Sequence, residues 1–314
     1  MSKLDNQTVV VGRLAPSPTG VLHLGNARSF LLAWLDLRSR GGHMVLRMED
    51  LDGPRVKAGA ARLAMEDLHW LGLDWDEGPI YQRPRLEIYS SYLQRLAEAG
   101  LAYPCVCTRK DVEQAASAPH PGEEGPVYSG TCRGLWRSAV EAQKQTGKLP
   151  CWRFAIPVGT KVDFSDRICG ATSLDLAQQG GDFVIWKKDN EPAYQLAVVV
   201  DDAEQKINSV VRGDDLISSA GRQILIYQAF GFPVPEFAHV PLVVGTDGRR
   251  LAKRHGDTTV RQFREQGISS AQILRMLAAT FTGAISVPLD RIHQASDLLS
   301  GFRLEAVGSK PVQW

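Results

Sequence analysis

A strand, a loop, a helix and a second strand follow one another within the first 48 residues, and this succession limits the fold more than any other feature of the chain. Residues 8–12 are a short β-branched run that reads as a buried strand, and the loop after it is broken by Pro16, Pro18 and Gly20. From residue 25 to residue 40, Phe30, Trp34 and Leu37 recur at helical spacing with Leu31 and Leu35 beside them, and Gly41 and Gly42 stop the run. Residues 43–48 read as the second strand. A βαβ unit of this kind belongs to a parallel sheet covered by helices, whose ligands bind beyond the carboxyl ends of the strands. Arg13 and Glu49 fall at two such ends and are the first candidates for a site.

Helical patterns follow at 58–71 and 85–99. Between 101 and 157 the chain changes character: Cys105, Cys107 and Cys132, a Pro/Gly-rich stretch at 118–134, and Trp136 and Trp152 mark an inserted module. The near-continuous apolar run 193–201 predicts a central strand and 222–230 a helix, so the sheet resumes after the insertion. Residues 241–244 predict another short strand, followed by a charged, glycine-containing loop at 245–257 and a modest helical tail to Trp314. The expected organisation is a discontinuous α/β catalytic domain (1–100 and 190–240), an inserted module (101–189), and a terminal loop and tail (241–314).

The length of 314 residues fits about two domains, and 36 Lys+Arg against 35 Asp+Glu leave a net charge of +1. Such a balance gives no bulk attraction to a polyanion, so a nucleic acid would have to be met by a local basic face. No apolar run reaches the ~18 residues of a membrane span, and residues 1–12 lack the features of a signal peptide, so a cytoplasmic protein without a membrane partner is expected. There the five cysteines favour thiols or a metal site over disulfides.

Three groups of residues carry chemistry. In the loop from Arg13 to Asn26, His23 and Gly25 sit where the loop enters a helix, so backbone N–H groups and the helix dipole face any phosphate placed there. The spacing is that of neither a P-loop nor a dinucleotide fingerprint, and taken alone it serves equally as a Pro/Gly turn with a capping histidine. The loop 247–256 gathers Arg249, Arg250, Lys253, Arg254 and His255, with Gly248 and Gly256 to let it move; by itself it also reads as a solvated basic loop. Finally, Cys105-x-Cys107 and Tyr128-x-x-x-Cys132 offer three thiolates and a phenol to a metal, with Cys151 or His120 as substitutes for the fourth group.

Together these motifs resemble a known family, the class I aminoacyl-tRNA synthetases in their glutamyl branch. His23-Leu-Gly-Asn26 is similar to the HIGH signature and Leu251-Ala-Lys-Arg-His255 to the KMSKS loop. Also similar are Arg13-x-Ala-Pro-Ser-Pro-Thr-Gly20, Arg47-Met-Glu-Asp50, Trp70-Leu-Gly-Leu-Asp-Trp-Asp-Glu-Gly78, Val199-Val-Asp-Asp202 and Arg212-Gly-Asp-Asp215, in order over residues 8–257. The resemblance implies a Rossmann-type catalytic domain with an inserted zinc-containing module and a short C-terminal helical segment. It implies joining of L-glutamate to ATP, with Mg²⁺, as glutamyl-AMP, followed by transfer to tRNA.

By motif position, His23 and Lys253 are catalytic, and His23, Gly25, Asn26 and Lys253 meet ATP. Arg13, Leu14, Ala15, Pro16, Ser17 and Tyr194 line the glutamate pocket, Arg13 and Arg212 bind its carboxylates, and Glu49 holds its ammonium. As an alternative, Arg212 is a structural ion-pair partner of Asp201 or Asp202. Some members of the family hold structural zinc in this insertion with a tyrosine as last ligand, which implies Cys105, Cys107, Tyr128 and Cys132 for one Zn²⁺ per chain. Cys151 and Cys169 are then unligated thiols.

The departures from the pattern bear on the acceptor. Asn26 replaces the second histidine of the fullest HIGH signature, Ala252 stands at the KMSKS serine, and Leu216 follows Asp215 where the branch commonly has histidine. Only 57 residues follow Asp257, too few for the large helical anticodon-binding region of full-length glutamyl enzymes. Short paralogues of this branch attach glutamate to queuosine in the anticodon loop of tRNA(Asp), and the resemblance implies that acceptor here, in a monomeric enzyme. The alternatives are charging of a tRNA 3′ end and an inactive RNA-binding paralogue.

Overall fold

The structure is a computed structural model of the chain and describes residues 9–51, 53, 55–115, 127–245 and 258–313. Strand β1 (Val11–Leu14) leads into helix α1 (Leu24–Ser39), and β2 (His43–Met48) returns parallel to β1 with Arg13 opposite Val45. Glycine is required at the turn between them: Gly41 has φ +64°, and a Cβ on Gly42 would lie 2.7 Å from the Val10 carbonyl oxygen. Helix α2 (Ala60–Trp70), strand β3 (Glu77–Tyr81), parallel to β2, and helix α3 (Leu86–Glu98) complete the first half.

The segment expected as an insertion contains β4 (Ala102–Cys105), α4 (Arg109–Ala115), α5 (Ala139–Thr146), β5 (Cys151–Phe154), the hairpin β6 (Lys161–Asp166) and β7 (Gly170–Asp175), and β8 (Phe183–Trp186). Strands β4, β5 and β8 form a separate antiparallel sheet over a small core that includes Cys105, Tyr128 and Cys132. The β6–β7 hairpin instead joins the edge of the main sheet.

The run expected as a central strand is a helix, α6 (Tyr194–Glu204). Its residues Leu196 to Val200 are all buried, and a helix enclosed on every side is as continuously apolar as a buried strand. The sheet resumes with β9 (Ser209–Gly213), followed by α7 (Ile217–Phe230) and β10 (Glu236–Val240), parallel to β9. Asn208 ties β9 to the free edge of β1: its N–H donates to the Val11 carbonyl at 3.0 Å and its side-chain oxygen accepts from the Val11 N–H at 2.8 Å.

Two sheets, β3-β2-β1 and β9-β10-β6-β7, therefore lie side by side, joined at Asn208 where β9 meets β1. From β1 the chain steps one way to β2 and from β9 the other way to β10, the topological switch point at which parallel sheets bind ligands. The short strand β11 (Val243–Val244) pairs with β12 (Val312–Gln313), and α8 (Val260–Glu265) and α9 (Ser270–Ala278) precede a run of 3₁₀ turns. Ile273 and Leu277 of α9 are fully buried in the core shared with α1, so the tail packs on the catalytic sheet. Among the described residues no helix is long and apolar enough to cross a membrane.

Candidate active site

Strand alternation places the site. Met44, Leu46 and Met48 of β2, Leu14 of β1, Val211 of β9 and Ala238 of β10 point into the core under α1, so Arg47, Arg13, Arg212 and His239 face the opposite helices α6 and α7. Four polar side chains from four neighbouring strands thus line up on one buried face, and the helices above supply their partners. Arg47 has no exposed surface; its Nη1 donates to Asp202 at 2.7 Å and to Gln205 at 2.9 Å, its Nη2 to Glu49 at 3.3 Å, and its Nε lies 3.8 Å from Asp201. Asp201 also accepts from Gln82, Arg85 and Tyr89 at 2.7–2.9 Å.

Arg13 donates from Nη1 to the Val211 carbonyl at 3.2 Å and holds its Nε 3.8 Å from Asp202, with no hydrogen bond to Nε among the described residues. Burial lowers the Arg13 pKa, against the opposing pull of Asp202. Burial likewise pushes the Glu49 carboxyl up, against the pull of Arg47 and then Arg13. Arg212 pairs with neither Asp201 nor Asp202. Its Nε donates to His239 Nε2 at 3.0 Å, its Nη1 to Gln223 at 2.8 Å and its Nη2 to the Leu216 carbonyl at 3.4 Å.

These groups open onto a cavity of about 510 Å³ lined by Arg13, Ala15, Pro16, Ser17, His23, Gly25, Asn26, Glu49, Tyr194 and Arg212 among others. Leu14, expected with them, departs from this set: the residue after Arg13 on a strand faces the other side, and its side chain is buried in the core. Tyr194, 38% exposed, stands at the first position of α6 rather than on a strand. The cavity therefore presents two arginines, Arg13 and Arg212, and two acidic residues, Glu49 and Asp215, a set that fits a small molecule with carboxylates and an ammonium group.

At the mouth, His23 is the N-cap of α1, whose first turn has no acidic residue and no side-chain cap. The Leu24 N–H is taken by the Thr258 carbonyl at 2.9 Å, while among the described residues a Cβ on Gly25 would meet nothing within 4 Å, so they leave the backbone there open to a ligand. Val260 donates to the Leu22 carbonyl at 2.9 Å and Thr259 bridges to His23, which fixes the segment after residue 257 against the histidine loop. Lys253 and the rest of 246–257 lie outside the described residues, but Val243 before that stretch lines the cavity and Thr258 after it touches α1.

In the inserted sheet, the Sγ atoms of Cys105, Cys107 and Cys132 lie within 4.8 Å of one another, Cys107 and Cys132 at 3.4 Å. Tetrahedral metal–sulfur bonds of 2.3 Å place sulfurs about 3.8 Å apart, so these thiols can hold a metal ion. The Tyr128 hydroxyl is 3.3 Å from Cys105 Sγ and 4.0 Å from Cys107 Sγ, and it accepts from the Cys132 N–H at 2.8 Å. The neighbouring Cys151 thiol, the Tyr128 hydroxyl and the Arg153 guanidinium hold the Cys105 thiol down at about 4. Arg153 lies 3.8 Å over the Tyr128 ring and donates to Cys105 Sγ at 3.3 Å, a fixed cation against that sulfur. Cys151 stays outside the group and donates to the Cys105 carbonyl, and His120 lies outside the described residues. Cys169 Sγ lies 3.7 Å from the His239 carbonyl, far along the chain from the cluster.

The family model for tRNA synthetases class I (E and Q), catalytic domain, matches residues 9–292. The chain belongs to that family. This class I synthetase is 47% identical over 302 residues to a protein of Rhodopirellula baltica named glutamyl-Q tRNA(Asp) synthetase, covering 90% of the chain and 91% of its relative. It is 44% identical over 314 residues to a protein of the same name from Symbiobacterium thermophilum, covering 97% and 96%. Among solved structures, the crystal structure of a glutamate tRNA ligase from Elizabethkingia meningosepticum in complex with its amino acid superimposes with a TM-score of 0.83 at 27% identity, over 97% of this chain and 66% of that one. The family drawn from the motifs is borne out.

Sequence reasoning missed the residues that hold the arginines. Asp166, His239 and Gln223 support Arg212; Arg47 was quoted only within a motif, and Asp202, weighed as a partner of Arg212, instead accepts from Arg47 and faces Arg13. Pairing between β6, β9, β10 and α7 is invisible to periodicity; a histidine inside the apolar strand 236–240 was the one available signal.

Proposed function

We propose that this chain activates L-glutamate with ATP, accompanied by Mg²⁺, to glutamyl-AMP and transfers the glutamyl group to queuosine in the anticodon loop of tRNA(Asp). The observation that carries the reading is the meeting of Arg13, Arg212 and Glu49 in one cavity with the open N-terminus of α1. Near-full-length similarity to two proteins named glutamyl-Q tRNA(Asp) synthetase supports the acceptor. Arg13 and Arg212 take the carboxylates of glutamate and Glu49 its ammonium. A carboxylate oxygen of glutamate attacks the α-phosphorus, the bond to the bridging oxygen breaks, and pyrophosphate leaves. An acceptor hydroxyl then displaces AMP from the acyl carbon.

No protein nucleophile is needed, so the residues act by position and charge. Tyr194 closes the amino-acid end of the cavity, with Ala15, Pro16 and Ser17 along its wall. His23, Gly25 and Asn26 receive the phosphates at the helix N-terminus, and Lys253 offsets charge on the departing pyrophosphate. Cys105, Cys107, Cys132 and Tyr128 hold one Zn²⁺, which tethers the loop around 128–132 to β4 in a structural role. The test is ATP–pyrophosphate exchange without tRNA: exchange that depends on glutamate and is absent with glutamine is expected, and exchange with neither contradicts the reading.

A further inference from the structure

Arg212 is held by a relay that starts outside its own strand. The Asp166 carboxylate, at the end of β6, accepts from the N–H groups of Ile168 and Cys169 at 2.9 Å and from the His239 N–H at 3.1 Å. It also lies 2.6 Å from His239 Nδ1. So fixed, the carboxylate selects the ring tautomer with the proton on Nδ1, which leaves a lone pair on Nε2. Arg212 Nε can only donate, and it meets that lone pair at 3.0 Å. Asp166 and His239 are almost fully buried, and the ring stacks on Phe237, over which the Arg212 guanidinium sits at 5.2 Å.

We propose that His239 and Asp166 are positioning residues that aim the Arg212 guanidinium at the substrate carboxylate. This inference rests on the reading that Arg212 binds glutamate. Of the five N–H donors of an arginine, Nε, one on Nη1 and one on Nη2 are engaged by His239, Gln223 and Leu216. Among the described residues one donor remains on each terminal nitrogen, and the two terminal nitrogens of an arginine can meet the two oxygens of a carboxylate. A guanidinium freed from His239 could rotate about its stem and lose that match. Because β6 lies in the segment between the two halves of the parallel sheet, the relay also ties the geometry of that segment to the amino-acid pocket.

The experiment is glutamate-dependent ATP–pyrophosphate exchange with the full chain, with KM and kcat resolved for each substrate. For His239→Leu, KM for glutamate is expected to rise about 10–100-fold, the loss of a hydrogen bond to a charged group, with KM for ATP and kcat within about threefold. His239→Gln, which restores an acceptor, is expected to recover most of this. Asp166→Asn preserves the shape and serves if His239→Leu does not fold; a rise of about 3–10-fold in KM for glutamate alone is expected. In an Arg212→Met background, His239→Leu should add less than about twofold, because its effect runs through Arg212. Unchanged KM for glutamate in folded His239→Leu or Asp166→Asn protein overturns the proposal, as does full multiplication of the two effects or an equal rise in KM for ATP. If Arg212→Met alone leaves KM for glutamate unchanged, the glutamate-binding role of Arg212 fails first, and the relay with it.

Discussion

Replacing Arg47 with methionine tests whether the charges under the cavity hold the fold together. Arg47 is fully buried and engages Asp202 at 2.7 Å, Gln205 at 2.9 Å and Glu49 at 3.3 Å. Methionine fills much of the space but leaves carboxylates buried without their main cation. Asp201 keeps Gln82, Arg85 and Tyr89, and Asp202 keeps the Tyr227 hydroxyl at 3.1 Å, whereas Glu49 loses its ion-pair partner. Removing one side of a buried pair costs about 3–5 kcal/mol. At about 1.5–2 °C per kcal/mol for a chain of this size, the melting temperature should fall about 5–10 °C. Circular dichroism melts read this directly. Adding Glu49→Gln to the variant should recover about 1–2 kcal/mol by removing the uncompensated charge. Arg62→Ala, which breaks an exposed pair with Glu66, should cost under about 0.5 kcal/mol. If Arg47→Met melts within about 1 °C of the parent, this network is not held by mutual compensation of its charges.

Three further outcomes are expected. Burial would raise the Asp166 carboxyl, but hydrogen bonds from the His239 ring and three backbone N–H groups hold it at about 2 against an ordinary 3.8. A depressed carboxylate stabilises the fold above its unfolded pKa and loses that contribution as pH falls through its folded one. About 2 kcal/mol should therefore disappear between about pH 4 and pH 2, and acid unfolding of Asp166→Asn should show a shallower slope there. Purified protein should carry about one zinc per chain by elemental analysis; Cys107→Ser or Cys132→Ser should lose it and melt lower, and metal-free protein of full stability contradicts the assignment. Lys253→Ala should cut turnover about 10²–10³-fold with KM for glutamate little changed, and equal loss in both contradicts its role at the phosphates.

What could be read from the chain and what could not divide along physical lines. The β1-α1-β2 unit was legible because Phe30, Trp34 and Leu37 recur at helical spacing between short strands, and because the turn after the helix takes glycine at 41 for its positive φ and at 42 for lack of space. The arginines and Glu49 were legible through motif resemblance and their place at strand ends. Helix α6 was misread because burial on all sides erased its period and Val198, Val199 and Val200 favour strands. The relay to Arg212 was illegible because its members lie 27 and 73 residues apart along the chain. The β6–β7 hairpin, placed with the insertion, shares the edge of the main sheet, a pairing that local sequence does not encode.

Glutamate activated in this cavity is expected to go to a modified base of the anticodon loop. Transfer of labelled glutamate, with ATP and Mg²⁺, onto two tRNA pools tests it most directly: one pool from cells that make queuosine and one from cells that cannot. Label on the first pool alone is the predicted result. Equal label on both would contradict the claim in favour of 3′-end charging, and label on neither would reduce the chain to an RNA-binding relative.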